Sequence, residues 1–342
     1  MAQELTAVLV GCGGISRAWL RTVTELADLR LATMVDLVEE NARQRADEFG
    51  LADVDISTDL AATLDRVRPD IVFDCTVPTA HHPVTLTALA HGCHVMGEKP
   101  LADSLAHAKE MIAASEEAGK LSAVMQNRRY DPNIRRLKSF LESGVLGRLT
   151  TVNCDFYLGA HFGGFRDRME HVLLVDMAIH TFDASRFLMG ADPRAVYCHE
   201  WNPPGSWYDH DASAVAIFEM SDDIVYTYRG SWCSEGLNTT WECRWHIIGE
   251  KGSVIWDGAE SYEAQIVTET GGFRSELRDM VLPVPEGPVK QGGHDGCIRE
   301  FVDCVRAGGV PETICTDNVK SLAMVFGAVE SAESGLRVGI EV

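Results

Sequence analysis

The sequence predicts two domains: an α/β domain on a doubly wound parallel sheet, then an α+β domain on a largely antiparallel sheet. Three observations carry this. A chain of 342 residues is too long for one ordinary α/β domain. Apolar strand patterns alternate with helical ones as far as residue 125, the signature of parallel strands joined by crossover helices. Beyond residue 149, strand-like runs follow one another with few matching helices between them, which favours antiparallel pairing.

The elements follow in order. Residues 5–10 form a short apolar strand, a glycine-rich loop follows, and 15–27 read as a helix. Residues 31–35 are a second strand ending at Asp36. A helix over 39–49 stops at Gly50, and another covers 59–67. A strand over 71–75 leads to a helix over 83–91 stopped by Gly92, then a strand over 94–96. A helix over 104–118 ends at Gly119, and 121–125 is the last strand of this pattern. A helix over 133–142 opens the second part, and strands follow over 149–157, 195–199, 212–219, 224–232, 241–248, 253–256 and 263–267. A helix over 176–189, before Gly190, interrupts them, and helices over 296–307 and 317–334 close the chain. The junction is expected near residue 122, giving domains 1–121 and 122–342, with the last helices packing back on the first domain.

Composition narrows the class. Apolar residues make up 46% of the chain, and no apolar run approaches the roughly 20 residues that span a membrane. No basic segment precedes an apolar one at residues 1–4, so no secretory leader is expected. The ten cysteines are scattered without a Cys-x-x-Cys pair, so neither a zinc site nor a disulfide framework is expected. Several, such as Cys12 and Cys75, read as small buried hydrophobes. A reducing cytoplasm fits this usage. A net charge of −21 disfavours nucleic acid and anionic membranes as partners.

Gly11-Cys12-Gly13-Gly14-Ile15-Ser16 lies between a strand and a helix. Glycines 11 and 13 permit a tight turn and close approach of backbone to a pyrophosphate, and the helix behind presents free N–H groups. Ser16 takes the third fingerprint position, where a small residue still allows helix–strand packing. Asp36 follows at about the 20-residue spacing of a ribose-binding acid. Its carboxylate would repel a 2′-phosphate, and Leu37 after it offers no cation, so NAD is expected over NADP.

Lys99, before Pro100, sits at the carboxyl end of a strand, where open α/β sheets bind ligands. Its ammonium can stabilise alkoxide character on a substrate oxygen. Asp176 and His180 are spaced i, i+4 on the expected helix and project from one face. The imidazole can exchange a hydroxyl proton, and the carboxylate can orient a substrate hydroxyl. Asp183 could fix the imidazole tautomer or lie on the helix surface. Lys99 and His180 together point to hydride transfer between an alcohol or carbonyl and a dinucleotide.

Taken in order, Gly11-Cys12-Gly13-Gly14-Ile15, Glu98-Lys99-Pro100, Asn127-Arg128-Arg129-Tyr130-Asp131-Pro132, Asp176 through His180 with Asp183, and Ser331-Ala332-Glu333-Ser334-Gly335 resemble the Gfo/Idh/MocA family over nearly the whole chain. The resemblance implies a Rossmann domain and an open-faced sheet that often makes oligomers, here a dimer or tetramer through the second domain. It implies that Lys99 is the catalytic lysine, His180 the acid/base and Asp176 the substrate-orienting carboxylate. For the cofactor it implies Gly11, Gly13, Gly14, Ile15, Asp36, Thr76, Pro78 and His82, with Glu98, Lys99, Asn127 and Arg128 at the nicotinamide end. Arg166, after Phe165, resembles a residue that faces substrate, together with Lys99, Asp176 and His180.

The substrate expected on this basis is a sugar, polyol or cyclic hydroxy compound. The same parts also suit a redox-neutral NAD-dependent glycosidase, or a nucleotide-binding regulator without catalysis. Many members carry a glycine run before the Asp176 position, where this chain has Met169-Glu170-His171-Val172. Those bulkier side chains should reshape the pocket and put Glu170 or His171 against substrate. Gly292-Gly293-His294-Asp295 could border it too. His81, His82, His91 and His94 do not converge, so no metal is expected. Trp241 and Trp245 are evenly spaced on an expected strand and should share one face.

Overall fold

The computed structural model describes residues 4–285, 290 and 292–342; residues 1–3, which bear on a leader segment, lie outside them. The chain forms two compact units, Met1–Tyr130 with Lys290–Val319, and Asp131–Val289 with Lys320–Val342. The first unit therefore runs past the expected junction near residue 122 and takes in a late helix.

In the first unit β1 (Leu5–Val10), α1 (Ser16–Val23), β2 (Leu29–Val35), α2 (Glu39–Glu48), β3 (Asp55–Ser57), α3 (Leu60–Val67), β4 (Ile71–Asp74), α4 (Pro78–Ala90), β5 (His94–Gly97), α5 (Leu105–Ala118) and β6 (Ser122–Val124) alternate. The six strands lie in the order β3-β2-β1-β4-β5-β6 and every pairing is parallel. Continuous apolar strands cause this, because alternate residues feed two cores. Ala7, Leu9, Ile71, Phe73 and Met96 pack on one face with Trp19 and Leu20 of α1 and with Ile298 and Phe301 of a later helix. Val8, Val10, Val72 and Val95 pack on the other with Leu64 of α3 and Leu89 of α4. Asp59 caps α3 and Ser104 caps α5 through their side-chain oxygens. Gly119 closes α5 with φ at 61°, which glycine adopts without penalty.

Several elements differ from expectation: α1 stops at Val23, short of residue 27, and two others depart for clear physical reasons. Helix α4 begins at Pro78, not Pro83, because Pro78 occupies the first turn, where a missing N–H costs nothing. Strand β3 is three half-polar residues on the sheet edge, too short to show a period.

The second unit contains α6 (Pro132–Glu142), β7 (Leu149–Tyr157), α7 (Ile179–Met189), β8 (Pro193–Trp201), β9 (Ser213–Met220), β10 (Val225–Ser231), β11 (Arg244–Gly249), β12 (Gly252–Trp256), β13 (Tyr262–Glu269) and β14 (Glu276–Met280). Next in the chain come α8 (His294–Ala307) of the first unit, α9 (Cys315–Ser334) and β15 (Val338–Gly339). Nine strands form one sheet, β14-β13-β12-β11-β7-β10-β9-β8-β15, antiparallel except for the β7–β10 pair. Phe182 of α7 meets Phe218, Tyr226 and Tyr228 edge-on at 4.9, 6.3 and 5.3 Å, which fixes the helix on one face. The other face keeps Tyr197, Ile217 and Val225 exposed.

The fold class read from the sequence is the one observed. Trp241 and Trp245 do not share a face. Strand β11 starts only at Arg244, after Cys243 at a φ of 68°, leaving Trp241 exposed in the turn and Trp245 buried. No described helix is long and apolar enough to cross a membrane. Among the described residues no group of three or more His, Cys, Asp or Glu side chains is placed to hold a metal ion.

Candidate functional site

The glycine loop joins β1 to α1. Gly11 has φ at 87°, and a Cβ there would stand 2.7 Å from the Cys75 carbonyl and 2.8 Å from the Thr76 nitrogen. Only glycine lets the loop pass the end of β4 so closely. Gly13 and Gly14 face open space and are exposed, as is Ile15, the residue before α1. Backbone N–H groups at a helix start with room above them suit an anion. Arg45, which the sequence reading missed, is buried beneath the loop. It donates to the Cys12 and Gly13 carbonyls at 3.3 and 3.1 Å and to Ser16 Oγ at 3.1 Å. Ser16 Oγ donates to the Gly13 carbonyl at 2.7 Å. These bonds hold the carbonyls down and leave the top of the loop unobstructed.

Asp36 follows the second strand directly, beside this loop. One carboxylate oxygen accepts from Cys12 N–H at 2.8 Å; the other accepts from Val38 N–H at 2.9 Å and Asn41 Nδ2 at 3.2 Å. The acid is thereby oriented from two sides. Burial, reinforced by Asp36, pushes the Cys12 thiol up to about 12. Cys12 is thus a packing residue and not a nucleophile.

The ends of β4 and β5 bring together the next group. Thr76 donates its N–H and hydroxyl to one oxygen of buried Asp74, at 2.9 and 2.5 Å. Pro78 starts α4 and is exposed. His82, expected to line the cofactor, makes its contacts with α5. Its ring bonds Glu110 at 2.7 Å and stacks on His107 of α5 at 4.1 Å. Buried His81 ties the two strand ends instead, Nδ1 to the Pro100 carbonyl at 2.8 Å and Nε2 to the Thr76 carbonyl at 3.1 Å. Residues adjacent on a helix point about 100° apart, so the earlier start of α4 decides which histidine faces the strands.

Lys99 is the second residue beyond β5 and is half-buried. Its N–H donates to Glu98 Oε2 at 3.3 Å, and the peptide bond to Pro100 is cis. Glu98 is buried, and its Oε1 accepts from Trp19 Nε1 at 2.6 Å. His294 Nε2 lies 3.9 Å from the same oxygen, and its Nδ1 lies 3.5 Å from Asn127 Nδ2. Burial pulls the His294 pKa down against the attraction of Glu98. Asn127 and buried Arg128 belong to a 3₁₀ turn, Asn127–Tyr130, whose last carbonyl accepts from Gly292 N–H at 2.9 Å. So Glu98, Asn127 and His294 form one cluster in the first unit.

Asp176 and His180 belong to the second unit. They do not share a regular α-helix, because residues Leu173–Ala178 form a π-helical segment before α7. The helix changes pitch between them, a feature frequent at functional sites. Arg166 Nε donates to Asp176 Oδ2 at 2.6 Å, and its guanidinium lies 5.0 Å from the Phe162 ring centroid and 4.8 Å from that of Phe165. The expected substrate-facing pair is thus one ion pair steadied by two aromatic rings. His180 is half-buried at the start of α7. Asp183, one turn on, is buried and accepts from Ser321 Oγ at 2.8 Å. His171 has φ at 51°, with Nδ1 2.5 Å from Glu200 and Nε2 3.4 Å from Glu333. Glu170 is exposed.

Two family models match the chain. Residues 5–126 match the oxidoreductase family with an NAD-binding Rossmann fold, and residues 134–255 match the Gfo/Idh/MocA C-terminal domain. Inositol 2-dehydrogenase of Streptomyces avermitilis is 27% identical over 100% of this chain and 96% of its own. D-apiose dehydrogenase of Paraburkholderia graminis is 26% identical over 99% of this chain and 90% of its own. The fold also matches the crystal structure of an oxidoreductase from Agrobacterium radiobacter in complex with NAD+, L-tartaric acid and magnesium. There the TM-score is 0.84 at 22% identity, over 98% of both chains. With both of its domains matched in order, this chain belongs to the Gfo/Idh/MocA oxidoreductases, and its first domain is their NAD-binding Rossmann fold.

Proposed function

We propose that the protein oxidises a secondary hydroxyl of a sugar, polyol or related cyclic compound with NAD+, or reduces the corresponding ketone with NADH. The observation that carries this is Lys99 at the carboxyl end of β5, beside buried Glu98, in a domain whose glycine loop fits a dinucleotide. The relatives named for inositol and apiose support the substrate class. When bound, NAD+ would accept the hydride in the oxidation and NADH would donate it in the reduction.

The chain's own residues do the rest. The N–H groups of Gly13, Gly14 and Ile15 hold the pyrophosphate, and Asp36 accepts from the adenosine ribose. Thr76 and Pro78 line its path, while Glu98, Asn127 and Arg128 hold the nicotinamide end. Lys99 stabilises negative charge on the substrate oxygen. His180 accepts the hydroxyl proton and returns it in the reverse direction. Asp176, with Arg166, orients the substrate hydroxyls.

The test is NADH appearance across a panel of sugars, inositols and sugar acids, with NAD and NADP side by side. A signal with NAD supports the reading and names the substrate class. Silence across the panel while NAD still binds would count against it and favour a redox-neutral or regulatory role. Asp36→Ser should raise NADP use relative to NAD by about tenfold or more in kcat/KM, equivalent to ~1.4 kcal/mol of relieved repulsion. An unchanged ratio would remove Asp36 from cofactor choice.

We further infer a homo-oligomer built through the outer face of the nine-stranded sheet. Tyr197 and Ile217 are cross-strand partners on that face, 47% and 44% exposed, which is costly for large apolar side chains left in water. Ile217→Asp should shift the protein to a smaller species by light scattering, with a melting temperature that falls by no more than the stabilisation the assembly confers. An unchanged mass would place any interface elsewhere.

A further inference from the structure

His171 is a bulky residue in a backbone conformation that glycine adopts freely. Its φ of 51° lies in the left-handed region, where a Cβ crowds the following carbonyl. The position matters because the π-helical segment Leu173–Ala178, which carries Asp176, begins two residues later. The His171 carbonyl already accepts from Val175 N–H at 2.9 Å, so its conformation sets the first turn.

Something must hold the residue there, and the imidazole does so from both nitrogens. Nδ1 meets Glu200 Oε2 at 2.5 Å, and Nε2 meets Glu333 Oε1 at 3.4 Å. Glu200 lies on β8 with its side chain only 2% exposed; Glu333 lies near the end of α9. With a carboxylate oxygen near each ring nitrogen, an imidazolium can donate to Glu200 while its charge also faces Glu333. The hydrogen bond to Glu200 raises the His171 pKa against burial, while burial, with Asp211 and Glu333 adding to it, raises that of Glu200.

We propose that Glu200, His171 and Glu333 form a charged clamp that holds residue 171 left-handed and so positions the π-helical turn presenting Asp176. His171 is then a positioning residue that acts through Asp176, not a substrate contact. Its effect on turnover rests on the reading of Asp176 given above; the clamp itself does not.

The charge gives the clamp a pH dependence. A raised His171 pKa contributes stability that is complete below the ordinary value of about 6.5 and lost as pH rises through the raised one. Glu200 and Glu333 face the ring from β8 and α9, and Asp211 adds negative charge at Glu200. All favour the protonated ring.

The test compares His171→Gly with His171→Ala in the full chain. Both lose the cation and leave Glu200 without it, so their difference isolates the backbone. Glycine is ordinarily the less stable of the two, because its unfolded chain is freer. Here the order should reverse, with the glycine variant melting about 2 °C or more above the alanine variant. The wild type should lose melting temperature on raising the pH above about 6.5, and neither variant should show that limb. With an active substrate, His171→Ala should lower kcat about tenfold with KM little changed, and His171→Gly should recover most of it. The usual alanine-over-glycine order, or a wild-type pH limb that persists in both variants, would overturn the clamp. Equal losses in both variants with a raised KM would make His171 a substrate contact. The melting order needs no substrate, so it stands if the oxidoreductase reading fails. A reversed melting order together with a pH limb confined to the wild type, but without the kcat pattern, would keep the clamp and discard its link to Asp176.

Discussion

Replacing Lys99 with methionine should lower kcat by about 10³-fold while changing the dissociation constant for NADH by no more than about threefold. Methionine keeps most of the apolar stem and removes the ammonium, so packing after β5 is largely preserved. The loss is specific to the transition state, where negative charge gathers on the substrate oxygen as hydride leaves carbon. A preorganised cation there is worth about 3–4 kcal/mol, because it need not reorganise during reaction. The main chain at Lys99 is held in place: the residue is half-buried, its backbone N–H is bonded to Glu98, and Glu98 is itself fixed by Trp19. Lys99→Arg keeps the charge with a wider, planar head and should recover only part of the rate. His180→Ala should cost about 10²–10⁴-fold in kcat. If the two residues serve one proton transfer, the double variant should be little worse than either alone. Near-normal turnover in Lys99→Met would end the assignment, and NADH binding by fluorescence would show that the fold had survived.

The parallel half of the fold was legible because its central strands are continuously apolar and a glycine stands within two residues of the ends of α2, α4 and α5. Gly119 shows why the second signal works: the helix ends where the backbone turns left-handed. Strand β14 was invisible for the opposite reason. Glu276, Leu277, Arg278 and Asp279 are all exposed on a sheet edge and show no burial period. The glycine loop and Asp36 were legible because their chemistry is local. The histidines were not. His81 and His82 are neighbours on one helix, and Pro83 looked like a helix start although it lies inside α4. Only the true start at Pro78 sets which ring meets the Thr76 and Pro100 carbonyls. Residues 173–178 failed similarly. Their apolar spacing reads as α-helix, whereas the π-helical turn follows the left-handed residue at 171, which no local pattern signals. Arg45 was missed because its role depends on α2 lying beneath a loop about thirty residues earlier.

Two alanine substitutions in that loop should have opposite consequences. Gly11→Ala is expected to destabilise the first domain by about 3 kcal/mol. The added Cβ would stand 2.7 Å from the backbone carbon and oxygen of Cys75 and 2.8 Å from Thr76 nitrogen, closer than real Cβ atoms come. Those atoms are main chain at the end of β4, and no flexible side chain can give way. The φ of 87° adds strain of its own. Relief requires the loop to move off β4, which also displaces the Gly11 N–H from the Val35 carbonyl it bonds at 2.8 Å. Gly13→Ala meets nothing within 4 Å and has no positive φ, so melting should be unchanged or slightly higher. Its methyl group instead enters the open space above the loop, where the pyrophosphate is proposed to lie. NAD affinity should fall about tenfold or more, ~1.4 kcal/mol. Calorimetric melting and NAD titration of the two variants separate the effects. Gly11→Ala must lose stability with or without NAD, while Gly13→Ala must lose only the extra stability that NAD confers. Full NAD stabilisation of Gly13→Ala would mean that the pyrophosphate lies elsewhere than over this loop.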